Sequence, residues 1–205
     1  MGRKVSTAKK GRESSSFRRR WRRRGVVLSI VLVTLAALPL LFMAPETVQR
    51  FIYPLKYEET ILEASEEHDV EPTLVAAVIR EESRFDPKVE SEQGAYGLMQ
   101  IQPETARFIA ERSGIAGDYR GPNTNIRMGT WYLNYLQNRY EGDERLVLAA
   151  YNSGEGRVDA WTSEEGFDIN SDIPFEETRD YVEDVVEAEK NYEELYGRDL
   201  DRRQG

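Results

Sequence analysis

One segment, residues 74–103, constrains the fold of this chain more than any other: LVAAVIREESRFDPKVESEQGAYGLMQIQP. Its apolar residues recur at helical spacing over 74–79, and Pro87 sets a limit to the predicted helix. At about 100° per residue, the centre of this apolar stripe falls close to Glu82, whereas Glu81 lies to the side and is expected in solvent. A carboxyl group on a buried face has a raised pKa when no cation meets it, as a general acid requires. The segment thus predicts a helix that carries Glu82 on its apolar face and is followed by a glycine-rich loop.

The charge of the chain is divided between its two ends. Residues 1–25 hold eleven Lys/Arg and one Glu, a net charge of +10, whereas the remaining 180 residues carry −19. This asymmetry favours a basic arm on one side of a boundary and an acidic domain on the other. Nucleic acid is disfavoured as a partner of the domain, because its phosphates would meet a negative surface. With no cysteine and a single histidine, His68, the chain has neither thiolate chemistry nor a multi-histidine metal site, and we predict no metal and no cofactor.

An uncharged run, residues 26–44, follows the basic arm. Its nineteen residues would span about 28 Å as a helix, close to the hydrocarbon thickness of a bilayer. The arginines at 18–24 would stay cytoplasmic, which places everything after Ala44 outside the cytoplasmic membrane. The sequence therefore predicts a single-pass, uncleaved anchor. A cleaved signal peptide is the alternative, although Phe42 is not the small residue expected three positions before a cut after Ala44.

The rest of the sequence predicts an all-α domain over residues 56–197, joined to the anchor by a linker at 45–55 and followed by a charged tail at 198–205. No segment shows the alternation of a strand. We interpret the aromatic residues that recur along one predicted helix as core. The predicted helices cover 56–68, a segment from Pro72 to before Pro87, 102–113, 126–140, 146–151 and 176–196, with a loop at 155–172.

Four blocks of this domain occur in the order REESRFDP, GAYGLMQ, AAYNSGEGRV and IPFEETRDYV. Together they resemble the catalytic domain of the soluble-type lytic transglycosylases, the SLT domain family, which has a goose-lysozyme-like helical fold. The resemblance implies the glycan strands of peptidoglycan as substrate. With the anchor, it implies an enzyme of the bacterial cytoplasmic membrane whose catalytic domain faces the wall. The sequence identifies no protein partner.

The same resemblance assigns expected roles to individual residues. Glu82 matches the catalytic acid and base of the family. The chain departs from the usual family pattern at Gln102, where Met is common, and at residues 153–156, where SGEG replaces AGPG. The residues expected to bind substrate are Ser91, Met99, Gln100, Tyr151, Asn152, Glu177 and Tyr181.

The family mechanism needs only one carboxylate, whereas most glycosidases use two. It implies that Glu82 protonates the oxygen between N-acetylmuramic acid and N-acetylglucosamine and then accepts a proton from the muramoyl C6 hydroxyl, which closes a 1,6-anhydro ring. Two alternatives stay open. A hydrolytic muramidase on the same fold would position water with Glu177 or Asp168, and a non-catalytic module would bind the wall without cleaving it.

Overall fold

The computed structural model describes residues 45–204. The predicted basic arm at 1–25 and the predicted membrane anchor at 26–44 lie outside the described residues. Between 45 and 204, no helix combines the length and apolar character that crossing a bilayer requires. The all-α prediction is confirmed for this part of the chain, which forms eight helices: α1 Pro45–Ile52, α2 Glu58–His68, α3 Pro72–Ser83, α4 Pro103–Ser113, α5 Pro122–Arg139, α6 Glu144–Ser153, α7 Glu155–Thr162 and α8 Glu176–Gln204.

Three features of this helical order differ from the predicted one. The predicted linker contains α1, and α8 continues through the predicted charged tail. The predicted loop at 155–172 begins with α7, whose start lies next to Gly154 and Gly156, residue types that are typical of loops. Gly154 adopts a φ of 91°, so its amide closes α6 on Ala150 while its carbonyl accepts the first hydrogen bond of α7 from Arg157.

The centre of the fold is α3, which packs mainly against α8 and also against α2. All eight residues from Pro72 to Ile79 are buried. The predicted stripe on one face was therefore too narrow, because a helix enclosed by others is apolar all round. The helix ends at Ser83, and the capping residue Arg84, with a φ of 51°, turns the chain toward the glycine-rich loop.

The chain divides by its internal contacts between Val48 and Gln49. Of the first part, only residues 45–48, the start of α1, are described. The second part contains α2 to α8, and its core runs from Ile61 on α2 to Leu200 on α8. Regular strands are absent from the described residues, which contain two isolated bridges, Glu90 to Tyr96 and Tyr96 to Ile101, within the glycine-rich loop.

Candidate active site

The C-terminal end of α3 opens into a cavity of about 670 Å³. Its wall comes from α3, the glycine-rich loop, α4, α5 and the junction between α6 and α7, so segments distant in sequence meet here. Among the sequence-predicted residues, the structure brings Glu82, Ser91, Gln100, Tyr151 and Asn152 together in it. The other lining residues are Gln93, Ala95, Ile101, Gln102, Thr105, Tyr132, Ser153, Gly154, Gly156 and Arg157.

Glu82 is the one carboxylic acid among these lining residues in the described part of the chain. The Glu82 side chain is mostly buried. Burial removes water from the carboxyl group, which disfavours its charged form and raises its pKa to about 7. The preceding residue behaves differently: Glu81, expected in solvent, forms an ion pair with Arg80 and has 18% of its side chain exposed. Among the described residues, Glu81 is therefore paired with a cation, whereas no cation affects the pKa of Glu82.

Two tyrosines enclose this carboxyl group. The Tyr151 hydroxyl, at the end of α6, donates a hydrogen bond of 2.9 Å to the carbonyl of Met99, which fixes its ring against the cavity. The Tyr181 hydroxyl, on α8, is buried and has no partner within normal hydrogen-bond geometry among the described residues. It nevertheless lies close enough to Glu82 to lower the pKa of that carboxyl, in part offsetting desolvation. Tyr181, predicted to bind substrate, does not line the first cavity, and its hydroxyl lies near Glu82.

The glycine-rich loop is held by its own polar side chains. The Ser91 hydroxyl accepts a hydrogen bond of 3.0 Å from the amide of Ala95, and the two residues pair again through the Ser91 amide and the Ala95 carbonyl. The Gln100 side-chain amide donates to the carbonyls of Val89 and Gly97 at 3.1 and 2.9 Å. Both predicted residues therefore shape the wall as well as lining it, which is the structural role that polar loop residues commonly have.

Met99 was predicted to bind substrate. Its side chain is fully buried and lies outside the cavity wall. The helix α5 leaves room for it at Gly129, where an added Cβ would stand 2.3 Å from the Met99 sulfur. The Met99 amide also donates a bond of 2.7 Å to the side chain of Asn125, which is itself fully buried. Met99 thus anchors the loop to α5 and presents its carbonyl to Tyr151.

A second cavity of about 470 Å³ adjoins the first, because both are lined by Gln93, Gln102, Asn152, Ser153 and Arg157. Glu177 lies in this second cavity and not beside Glu82. The hydroxyl of Thr178 donates a bond of 2.9 Å to the side chain of Asn152, which ties the start of α8 to the end of α6.

Several lining residues were not predicted, and the sequence carried a signal for only two of them. Gln102 was noted as a departure from the family pattern, and Tyr132 was interpreted as core. The Tyr132 ring packs against the core and also lines the cavity, where it lies 5.7 Å from the ring of Tyr151. Gln93, Thr105 and Arg157 become neighbours of Glu82 only when α4, α7 and the loop converge.

The described residues also bear on two other kinds of chemistry, the positioning of water by a second carboxylate and metal binding. Asp168, the second candidate for positioning water, is exposed in the loop after α7, where Asn170 holds its pKa below the usual value by hydrogen bonding. Neither cavity includes it. In residues 45–204, no three His, Cys, Asp or Glu side chains converge closely enough to hold a metal ion. As the described residues line it, the first cavity thus offers one desolvated carboxylic acid, an arrangement suited to proton transfer.

Comparisons with known proteins identify the same segment. A family model for the transglycosylase SLT domain matches residues 59–173. The soluble lytic murein transglycosylase of Salmonella typhimurium is 36% identical over 156 residues, which cover 71% of this chain and 24% of that protein. The membrane-bound lytic murein transglycosylase C of Edwardsiella ictaluri is 31% identical over 169 residues, which cover 68% of this chain and 47% of that protein.

A solved structure shares the fold. The crystal structure of the 70 kDa soluble lytic transglycosylase from Escherichia coli matches with a TM-score of 0.69 and 33% identity, over 73% of this chain and 26% of that one. This chain therefore spans about a quarter of the length of the soluble relatives it matches.

Proposed function

The chain belongs to the transglycosylase SLT domain family, as its four sequence blocks predict, and on that premise we propose that it is a peptidoglycan lytic transglycosylase. The observation that carries this proposal concerns Glu82, which among the described residues is the single carboxylic acid of the first cavity and has no cation that lowers its pKa of about 7. The names of the relatives, lytic murein transglycosylases of soluble and membrane-bound kinds, support the substrate and the reaction.

The reaction begins with proton transfer from Glu82 to the oxygen that joins N-acetylmuramic acid to N-acetylglucosamine. The bond from that oxygen to the muramoyl anomeric carbon breaks, and the C6 hydroxyl of the same sugar bonds to this carbon. Its proton passes to the Glu82 carboxylate, so the acid is regenerated and no water is consumed. Because the nucleophile belongs to the substrate, the step is intramolecular and gains from proximity.

A pKa near 7 suits a residue that must act first as an acid and then as a base. A proton donor with a much lower pKa would be ionised at neutral pH, and a donor with a much higher pKa would be a poor acid. Tyr181 serves as a positioning residue in this proposal, since its buried hydroxyl has Glu82 as its acidic neighbour. Substrate contact falls to Ser91, Gln100, Tyr151 and Asn152 in the first cavity and to Glu177 in the second.

Hydrolysis on the same fold is the competing function. It requires a carboxylate that positions water near the reacting carbon, at a separation suited to the two-carboxylate mechanisms. Of the two candidates, Glu177 lies in the adjoining cavity and Asp168 in neither. The first cavity, as the described residues line it, therefore favours intramolecular attack over hydrolysis.

The products of peptidoglycan digestion test the proposal. Mass spectrometry is expected to show muropeptides ending in 1,6-anhydro-muramic acid, which are lighter by one water than the reducing ends that hydrolysis produces. Glu82→Gln is expected to give neither product while retaining the helical circular dichroism of the wild type. Reducing ends as the main product would contradict the transglycosylase mechanism, and full turnover by Glu82→Gln would contradict the assignment of the acid.

We also propose that the protein is anchored in the cytoplasmic membrane by residues 26–44, with the domain outside. The supports are the uncharged nineteen-residue run and the basic arm before it. Cell fractionation is expected to recover full-length protein with membranes, in a form released by detergent and not by high salt. A shortened soluble form that begins near Pro45 would instead support the cleaved signal peptide.

A further inference from the structure

The last turn of α1 leaves large apolar side chains in solvent. Phe51 is 87% exposed and Ile52 is 49% exposed. An exposed phenylalanine side chain at a helix surface is unfavourable in water relative to a buried one. Such residues in a group commonly mark a surface for another apolar phase.

The backbone behind these two side chains is fixed to the domain. The carbonyl of Ile52 accepts a hydrogen bond of 3.5 Å from Arg80, and the carbonyls of Tyr53 and Pro54 accept bonds of 2.9 Å from the hydroxyls of Tyr196 and Tyr192. Their neighbour Tyr53 packs its ring edge-on against Tyr192 at 5.8 Å. Phe51 and Ile52 are therefore presented outward by a held segment.

The charge of this segment also differs from that of the domain. Residues 47–57, TVQRFIYPLKY, contain two cations, Arg50 and Lys56, and no acid, although the chain after residue 25 carries −19. Arg50 donates to the carbonyl of Leu195, and Lys56 is exposed. Cationic and aromatic side chains around an apolar patch are the composition of segments that lie at a lipid–water interface.

The predicted membrane-spanning run before α1 brings Phe51 close to a lipid bilayer. The uncharged run ends at Ala44, seven residues before Phe51. Even a fully extended chain of seven residues reaches only about 25 Å, and a helical one rises about 10 Å. If the run crosses a bilayer, Phe51 cannot leave the neighbourhood of its outer headgroups.

We propose that Phe51 and Ile52 bind the outer surface of the bilayer that residues 26–44 cross. The proposal rests on the proposed membrane anchor. In this proposal α1 is the segment through which the domain contacts the lipid surface. Cleavage is then confined to glycan strands close to the membrane. A second copy of this chain is the other occupant that such a patch could take, and the experiment separates the two.

The absence of cysteine from the chain makes a site-specific probe possible. Full-length Phe51→Cys, labelled with nitrobenzoxadiazole, is reconstituted into vesicles of phosphatidylcholine and phosphatidylglycerol, with and without nitroxide-labelled lipid. Glu111→Cys, at an exposed position on α4, is the matched control. The probe at 51 is expected to be quenched at least threefold more strongly than the probe at 111.

A second measurement removes the contribution of the probe itself, which is apolar. The label is placed at Lys56→Cys, once with Phe51 and Ile52 unchanged and once with Phe51→Asp and Ile52→Asp added. The two added substitutions are expected to reduce the quenching of this label at least twofold and to leave the glycan-cleaving rate in detergent unchanged. Unchanged quenching would overturn the proposal.

The remaining outcomes of the quenching experiment decide between the bilayer, a second copy of the chain and neither. Vesicle-bound protein whose probe at 51 is quenched no more than the probe at 111 overturns the docking and leaves the anchor intact. Protein that does not remain with the vesicles overturns both. Disulfide-linked dimers of unlabelled Phe51→Cys, formed through the introduced thiol and without lipid quenching of the labelled protein, replace the bilayer with a second copy.

Discussion

Glu82 and Glu189 both have a pKa raised to about 7, but for different reasons and in different places. Glu82 is raised by desolvation alone, and Tyr181 acts against the rise. Glu189, on α8, is raised by desolvation first and then by the neighbouring carboxylates of Glu144, Glu71 and Glu193. One site removes water from an isolated acid, and the other brings acids together from α6, α8 and the start of α3.

A carboxyl pKa can thus be raised in a candidate active site or in a structural cluster of acids. Structural clusters of like charge perturb carboxyl groups as strongly as active sites do. Glu82 lines the first cavity and has a buried tyrosine hydroxyl beside it, whereas Glu189 lines neither of the two cavities described at the site. Access for a ligand, added to the shifted pKa, distinguishes the candidate acid from the crowded one.

The largest difference between the two sites is expected in catalysis. Glu82→Gln removes the proton donor and is expected to lower the initial rate of peptidoglycan cleavage by about 10³-fold or more. Glu189→Gln removes an equally shifted carboxyl group that reaches no cavity described here, and its rate is expected to stay within about twofold of wild type. Equal losses in the two variants, with folding retained, would mean that the cavity does not define the site.

The pH dependence of the rate is expected to follow Glu82 and not Glu189. Because the protonated form donates the proton, the rate at low substrate concentration should fall above pH 7, approaching about tenfold per pH unit. Glu189→Gln should keep this limb in place, since removing its carboxyl group leaves Glu82 untouched. The measurement is a pH–rate profile from pH 5 to pH 9, and a limb that disappears in Glu189→Gln would reverse the assignment.

The stability of the fold, unlike catalysis, should respond to Glu189. A carboxyl group whose pKa is raised by folding binds its proton more tightly in the folded state, so the fold loses stability as pH rises from about 4.5 to about 7. At pH 8, Glu189→Gln is expected to stabilise the protein by about 1–2 kcal/mol, allowing for solvent screening of a partly exposed group. Unfolding in detergent at pH 8 and pH 4 checks this, because the gain should vanish at pH 4.

The smallest expected effect concerns Tyr181, whose hydroxyl lies near Glu82. The Tyr181 hydroxyl favours the charged carboxylate, so Tyr181→Phe should raise the pKa of Glu82 and move the alkaline limb upward by about half a pH unit. Tyr151→Phe is the control, since its hydroxyl donates to the Met99 carbonyl. If both variants move the limb equally, the effect comes from general polarity and not from Tyr181 itself.

Some of the site could be predicted because its signals are local. The apolar spacing from 74 to 79 depends only on helical geometry, and it placed Glu82 at the correct end of a real helix. The four blocks also identified the loop and the ends of α6 and α8. By contrast, α7 was missed because Gly154 and Gly156 are typical of loops, and its burial of Trp161 becomes visible only in the packed fold.

The sequence by itself determined the helical class, the family, the divided charge and the position of one acid, because each follows from residue order and short-range geometry. The tertiary structure decided what surrounds that acid. Met99 turned inward because Gly129 on another helix admits it, and Glu177 fell into an adjoining cavity because α8 starts beside the end of α6. Desolvation and crowding depend on which segments meet in space, so the pKa values of Glu82 and Glu189, and the difference between them, belong to the fold.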